Sequence, residues 1–420
     1  PAAVALDAAG CARDRALDRR GFDRRPRMSG LDAELRRELA DLEAGGSLKT
    51  FRAIDSPQGP TIRLADGREL ICLCSNDYLG LANDPEVVAA AAAGLERFGA
   101  GTASVRFICG LFTPHLELEH DLADFLGTEA ALSFVSCWNA NQALLDTLCD
   151  ERTWVLSDEL NHASIIDGIR LARPGGKAVY AHVDPEALRA ELAAVPAGSR
   201  TLVVTDGVFS MEGDLAPLPE LAAACREHGA TLIVDDSHGL GVIGAGGRGT
   251  ASHFGLDPAE VGIVTGTLGK ALGGAAGGFV AASKPVCELL EQRSRPQLFS
   301  NGLPQSVACS ARAALGRLRS EPALLSRLHD RVARFRSGLS AAGIEPLAGE
   351  SAIVPVIVGE TSRAVEISER LLEEGVFVTG FGYPVVPEGT ARVRAQLSAA
   401  LDDEQIDRAV AAFARVMPDL

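Results

Sequence analysis

A lysine, Lys270, stands between the apolar run Ile263-Val-Thr-Gly-Thr267 and the small-residue stretch Ala271-Leu-Gly273-Gly274-Ala-Ala-Gly277-Gly278. The run reads as a buried strand, and the small residues leave thin backbone beside one amine, so a ligand can approach closely. Burial lowers the pKa of an amine, and the neutral amine is the form that makes a Schiff base. The competing reading is a lysine that snorkels from a glycine-rich loop to water.

A carboxylate completes the chemistry. In Leu232-Ile-Val-Asp235-Asp236-Ser-His238-Gly239, Asp235 ends an apolar run and an imidazole follows three residues on. Alone, these suit an N-cap and a core histidine. Beside a Schiff-base lysine, Asp235 suits the ring nitrogen of pyridoxal phosphate, held protonated so that the ring takes up a carbanion's electrons, and His238 suits the ring's phenolate oxygen. The glycines Gly239-x-Gly241-x-x-Gly244 match the dinucleotide fingerprint, but Ala245-Gly246-Gly247-Arg248-Gly249 follows instead of a helix, so no nicotinamide site is expected.

Further candidates lie at other loop positions. Ser136-Cys137-Trp138-Asn139-Ala140-Asn141 joins a strand to a helix, where backbone N–H groups cradle phosphate. His162 opens another helix after a strand, placed to stack on an aromatic cofactor, and Ser210 lies on a polar loop after a buried strand. Arg392 and Arg394 fall on one face of a strand, and either guanidinium suits a substrate carboxylate; spacing alone does not choose between them.

These positions need a scaffold, and the chain's periodicity describes one. Asp32–Leu42 has leucines at helical spacing and stops at Gly45-Gly46, and runs at 61–64 and 69–74 flank an Ala-Asp-Gly turn as a hairpin would. Asp84-Pro85 caps a helix that runs to Gly99, and Gly127 ends one over 115–126. Strands at 130–135, 153–157, 178–182, 201–205, 231–235 and 261–265 alternate with helices at 140–149, 162–172, 185–194 and 218–228. Nearly continuous apolar strands in such a series mean an α/β fold with a mostly parallel central sheet covered on both faces. Ligands bind at the carboxyl ends of such strands, where Asp206, Asp235, Thr267 and Lys270 fall. Helices near 304–319 and 322–342 lead to a smaller α+β C-terminal domain with strands at 352–358, 376–379 and 391–397 and helices at 361–374 and 403–416. The expected division is a disordered leader over 1–27, an N-terminal arm over 28–75 opened by a helix at Met28, a large domain over 76–310 and a small one over 311–420.

Composition excludes several function classes. With 420 residues, 47% of them hydrophobic, the chain builds a large core, and a net charge of −16 leaves no cationic face for nucleic acid. The nine cysteines are scattered without paired C-x-x-C spacing, which reads as free thiols in a reducing cytoplasm and no metal site. No uninterrupted apolar stretch is long enough to span a membrane.

Taken together, these motifs resemble the α-oxoamine synthases, pyridoxal-phosphate enzymes of the aspartate-aminotransferase fold (fold type I) that condense an amino acid with an acyl-CoA. The resemblance runs from about Ser75 to the C-terminus. Ala103-Ser-Val-Arg-Phe-Ile-Cys-Gly110, Ser157-Asp-x-x-Asn-His-Ala-Ser-Ile-Ile-Asp-Gly168, Gly266-Thr-Leu-Gly-Lys-Ala-Leu-Gly-Gly274, Arg293-Ser-Arg-Pro296 and Val378-Thr-Gly-Phe-x-Tyr-Pro-Val-Val-Pro387 are similar to members that join glycine to acetyl-CoA. Ser75-Asn76-Asp77-Tyr78 and Asn139-Ala-Asn-Gln142-Ala look more like members that join alanine to pimeloyl-CoA. The resemblance makes Lys270 the Schiff-base lysine and general base, Asp235 the ring-nitrogen partner and His162 the stacking residue and oxyanion donor. It places Ser210 and His238 near the phenolate oxygen. Cys137, Trp138 and Thr267 then bind the phosphate, with Ser300 reaching in from the partner of a homodimer, while Asn76 and Arg394 hold the amino-acid carboxylate. The implied reaction gives 2-amino-3-oxobutanoate and CoA from glycine and acetyl-CoA. The alternatives are another amino-acid and acyl-CoA pair, or a catalytically silent binding protein, which would have had no need to keep this set of residues.

Overall fold

The computed structural model describes residues 30–417, so the expectations for the leader and for a helix opening at Met28 lie outside the described residues. Contacts divide the chain after Thr50. In the first part, helix Leu31–Ala44 stops where Gly45 donates its N–H to Asp41 O, and it buries none of its side chains.

The second part carries the described strands, numbered in chain order. They are β1 (Thr61–Arg63), β2 (Glu69–Cys72), β3 (Ala130–Phe134), β4 (Thr153–Asp158), β5 (Gly176–Tyr180), β6 (Arg200–Asp206) and β7 (Thr231–Asp235), then β8 (Ile263–Thr267), β9 (Gly278–Ala282), β10 (Ile353–Gly359), β11 (Val376–Phe377), β12 (Thr379–Phe381) and β13 (Ala391–Gln396). A seven-stranded sheet has the order β3-β9-β8-β7-β6-β4-β5. Its pairs are parallel except those of β9, which runs antiparallel between β3 and β8. The mostly parallel sheet read from the apolar runs is therefore present, while β9 breaks the expected strand–helix alternation. β1 and β2 form the expected hairpin, and β11 joins it in parallel. β10, β13 and β12 make an antiparallel sheet.

Burial explains why the central strands are apolar almost throughout. In β6 every residue after Arg200 is buried, and β9 is buried along its length. Each fully buried Val, Leu or Ile stabilises the fold by about 1.5–3 kcal/mol relative to an exposed one. Helix Cys137–Leu148 packs close on this sheet, and Gly278 makes that possible: a Cβ there would sit 2.3 Å from Cys137 N. Asp84 caps helix Pro85–Phe98 as its sequence predicts, accepting from Glu86 N at 2.9 Å and Val87 N at 3.3 Å. The eight described cysteines are free, as expected. No described helix is long and apolar enough to cross a membrane.

One ionic contact fixes the loop that follows β6. β5 ends at Tyr180, two residues earlier than expected, which leaves His182 beyond it to bridge Asp158 Oδ1 at 2.9 Å and Asp214 Oδ2 at 3.1 Å. Burial opposes charging of the ring, but hydrogen bonds to Asp158 and Asp214 outweigh it and raise the His182 pKa to about 10. His182→Gln should destabilise the fold by about 2–4 kcal/mol near neutral pH, because Asp158 is left buried without its cation. The folded pKa is raised, so this stabilisation is full below the ordinary value of 6.5 and is lost as pH rises toward about 10. Urea unfolding of both proteins across that range should show the gap closing; a gap independent of pH would exclude the ionic clamp.

Candidate active site

The C-terminal ends of β6, β7 and β8 bring Asp206, Asp235 and Thr267 together, as the sequence order suggests for a parallel sheet. A cavity of about 230 Å³ lies there, lined also by Cys137, Trp138, His162, His238 and Lys270. A larger hollow of about 470 Å³ is lined mainly by apolar side chains such as Phe125, Leu256 and Val261. Its buried carboxylate, Asp236, is taken by Thr250 N at 2.7 Å and Thr250 Oγ1 at 2.6 Å, whereas the smaller cavity brings together an amine, carboxylates and imidazoles.

Lys270 does not snorkel. Its Nζ lies 2.9 Å from His238 Nε2, inside the cavity. Burial lowers the lysine pKa, against the pull of Asp235, Cys137 and Asp206. His238 is pushed well below its ordinary value, first by burial and then by the charges of Lys270, Arg394 and His162. Both groups are thereby biased toward their neutral forms.

Asp235 is held by donors alone. Asn141 Nδ2 donates to Oδ2 at 2.6 Å, while Ser237 donates to Oδ1 through Oγ at 2.5 Å and N at 3.1 Å. Asn141 is fixed in turn, because its Oδ1 accepts from Thr265 Oγ1 at 2.7 Å. Sequence reasoning passed over Asn141 and Ser237; the available signal was an amide in an otherwise apolar helix face. Asp206, in register with Asp235 on the next strand, is pushed well above the carboxylate range by burial and by Asp235, and its Oδ1 has no hydrogen-bond partner. Both effects favour its protonated form.

The other expected residues divide into those at the cavity and those away from it. Cys137 and Trp138 are the first residues of helix Cys137–Leu148, whose N-cap Ser136 accepts from Asn139 N, so their N–H groups lead the helix toward the cavity. Thr267 lines the same end, its Oγ1 accepting from Gly269 N at 3.1 Å. His162 caps helix Ala163–Ala172 by accepting from Ser164 N at 3.2 Å at Nδ1, so its proton sits on Nε2, and burial lowers its pKa. Ser210 does not line the cavity; Val208 does, and Ser210 instead gives its carbonyl to Arg394 Nη1 at 2.6 Å. Ser300 lies beside a separate narrow cleft with Arg106 and Gln297.

Packing separates the two arginines that spacing left equal. Arg392 is ion-paired with Glu212 at 2.8 Å. Arg394, buried, has no carboxylate partner: it bonds to the Ser210 carbonyl and to Gln396 Oε1 at 3.0 Å, stacks at 4.6 Å over the Phe381 ring, and leaves its Nε without a partner. Asn76 is bonded to the same group through Gln396 Nε2, at 2.6 Å. A buried guanidinium without an anion is costly, and an incoming carboxylate removes that cost.

A buried amine, a carboxylate at a strand end and a helix N-terminus around one cavity define a fold class that family comparison identifies. The model for aminotransferase class I and II matches residues 68–413, and the chain belongs to that family. Its fold is the aspartate-aminotransferase-like fold type I. Relatives narrow the group to the α-oxoamine synthases. A 2-amino-3-ketobutyrate coenzyme A ligase of Escherichia coli (strain K12) is 46% identical over 91% of this chain and 96% of its own. An 8-amino-7-oxononanoate synthase of Geobacter sulfurreducens is also 46% identical, over 91% and 97%. A serine palmitoyltransferase from S. paucimobilis, solved with a bound PLP-myriocin aldimine, superposes with a TM-score of 0.87 at 31% identity, covering 93% of this chain and 98% of that one.

Proposed function

We propose that this chain is a pyridoxal-phosphate-dependent acyltransferase that joins glycine to acetyl-CoA, giving 2-amino-3-oxobutanoate and CoA. The observation that carries the reading is Lys270, biased toward its neutral amine and 2.9 Å from His238, in one cavity with the Asp235 carboxylate. The residues suit the cofactor: an amine for its aldehyde, a carboxylate for its ring nitrogen, and helix N–H groups with Thr267 for its phosphate. When bound, pyridoxal phosphate supplies an aldehyde that joins amines and a ring that accepts the electron pair released at Cα.

The chain's own groups then divide the work. Arg394 and Asn76 hold the glycine carboxylate, since Arg394 lacks an anion and Arg392 is already paired. Lys270, once freed, takes the Cα proton as general base, which needs its amine unprotonated. Asp235, kept in place by Asn141 and Ser237, would hold the ring nitrogen of the cofactor. His162 offers its Nε2–H to the oxyanion that forms when the thioester carbonyl is attacked. The C–C bond forms at the acyl carbon first, the oxyanion then collapses and breaks the C–S bond, and CoA leaves as a thiolate that takes up the proton Lys270 removed from Cα. Ser210 sets the site less directly, through its carbonyl on Arg394.

The chain acts as a homodimer in this reading, with Ser300 of one copy completing the phosphate site of the other. Exposed Phe107, Ile108 and Phe299 suit a surface that a second copy covers. The large domain spans 76–310 and the small domain 311–420, with an arm over 28–75. The free thiols and the absence of a spanning helix among the described residues fit a reducing cytoplasm.

The second reading, alanine with pimeloyl-CoA, is favoured by the equal identity to an 8-amino-7-oxononanoate synthase. Measuring kcat/KM for glycine and for alanine with acetyl-, propionyl-, succinyl- and pimeloyl-CoA separates the two. Glycine with acetyl-CoA should lead, with propionyl-CoA at about a tenth of its rate or better, because one methylene discriminates by only about 1–3 kcal/mol. A preference for alanine and pimeloyl-CoA would replace the first reading with the second.

A further inference from the structure

Tyr78 and Gln396 are buried polar side chains, 0% and 1% exposed, that the chemistry above does not use. Their hydrogen bonds join the two ends of the site. Arginine has donors only, so the Gln396 atom 3.0 Å from Arg394 Nη2 is the amide oxygen, and Nε2 turns the other way. That Nε2 donates to Asn76 Oδ1 at 2.6 Å and to Tyr78 Oη at 2.8 Å. Tyr78 Oη, having accepted, sends its own proton to His238 Nδ1, 2.7 Å away. A neutral imidazole that accepts at Nδ1 carries its proton on Nε2. The Nε2–H faces Lys270 Nζ at 2.9 Å, and the lysine can receive it only through a lone pair.

We propose that Arg394, Gln396, Tyr78 and His238 form a one-directional hydrogen-bond relay, in which Tyr78 is the positioning residue that fixes His238 as an Nε2–H donor toward Lys270. The fixed charge at one end of the relay sets where the proton sits at the other. In this direction each contact from Arg394 Nη2 to Lys270 pairs one donor with one acceptor, whereas turning the Gln396 amide puts two donors face to face at Gln396 and Arg394. The surrounding charges must be weighed with it. Asp235, Cys137 and Asp206 favour a charged lysine, whereas burial and Arg394 oppose it. Around His238, burial, Lys270, Arg394 and His162 all disfavour a second proton. Tyr78 keeps its proton, raised to about 12 by burial, so it remains a donor across the working range.

The inference rests on Lys270 as the cofactor-bearing lysine, for whose bound partner the same Nε2–H is a donor to the phenolate oxygen. The relay itself is testable without that partner. Nitrogen NMR of protein labelled in its histidines, cofactor-free and loaded, reports the tautomer of His238, with its signals assigned by their loss in His238→Asn. The wild type should be Nε2–H in the cofactor-free chain. Tyr78→Phe should lose the preference, and an Nδ1–H population should appear. Gln396→Glu replaces the amide donor with an acceptor, so Tyr78 turns its proton to the new carboxylate and His238 should switch to Nδ1–H. In the loaded enzyme, the visible absorbance titration of the lysine-bound cofactor should move up by about half to one pH unit in Tyr78→Phe, the scale of one weakened hydrogen bond. An Nδ1–H wild type, or an unchanged Nε2–H in Gln396→Glu, overturns the relay. A wild type that takes up no cofactor instead refutes the reading of Lys270, and leaves the tautomer result standing.

Discussion

Lys270→Ala should lower turnover by about three orders of magnitude or more, because in the proposed function one side chain supplies both the covalent attachment and the base that removes the Cα proton. No second amine takes its place among the cavity's lining residues. The cofactor should still bind, since Asp235, Thr267 and the helix N–H groups of Cys137 and Trp138 are untouched. The fold should hold, because removing a buried amine that charges only at a cost deletes little stability; His238 Nε2 loses one partner at 2.9 Å. Borohydride reduction, which fixes a lysine–cofactor bond, should label Lys270 in the wild type and nothing in the variant. Near-normal turnover, or labelling at another lysine, would remove Lys270 from the centre of the chemistry.

How much of this was legible in the sequence depended on whether a feature is local. Strand ends are local, so apolar runs stopping at Asp206, Asp235 and Thr267 predicted their convergence once a parallel sheet was assumed. Caps are local as well: Asp84 holds its helix start where the sequence put it, whereas Ser136 caps a helix that begins at Cys137, three residues before the expected 140. β9 was missed because Gly278-Phe-Val-Ala-Ala282 reads as the tail of a glycine-rich stretch, and its strand character comes from pairing with β3 and β8 on either side. The choice between Arg392 and Arg394 is not local. Period two gives them the same face, and what separates them is Glu212, a residue 180 positions away. The Tyr78 contact to His238 spans 160 positions, and no spacing rule foresees it. At Ser210 the contact to Arg394 is made by the carbonyl, which every residue has, so the residue type gave no sign of it.

Asp235→Asn should leave the fold standing while slowing α-proton exchange of glycine by about 10²–10³-fold, the scale at which one buried electrostatic partner acts on a developing charge. The carboxylate is surrounded by donors: Asn141 Nδ2 on Oδ2, and Ser237 N and Oγ on Oδ1. An amide keeps one oxygen and turns the other position into a donor. Ser237 offers two hydrogen bonds and Asn141 one, so the amide oxygen should face Ser237 and leave two NH₂ groups opposed at the Asn141 side, a loss of about 1–3 kcal/mol. The amide carries no charge to hold the ring nitrogen protonated, so carbanion formation suffers more than binding. Two neighbours report the same loss by another route. Asp235 favours the charged forms of Lys270 and His162, so removing it should lower both pKa values further. The exchange rate should therefore fall across the whole pH range, not merely shift with pH, because a lysine already biased toward neutrality gains little as a base from becoming more so. Following the exchange of glycine's α-proton in deuterated solvent, without any acyl-CoA, isolates this step. Exchange at the wild-type rate would take the ring-nitrogen role away from Asp235.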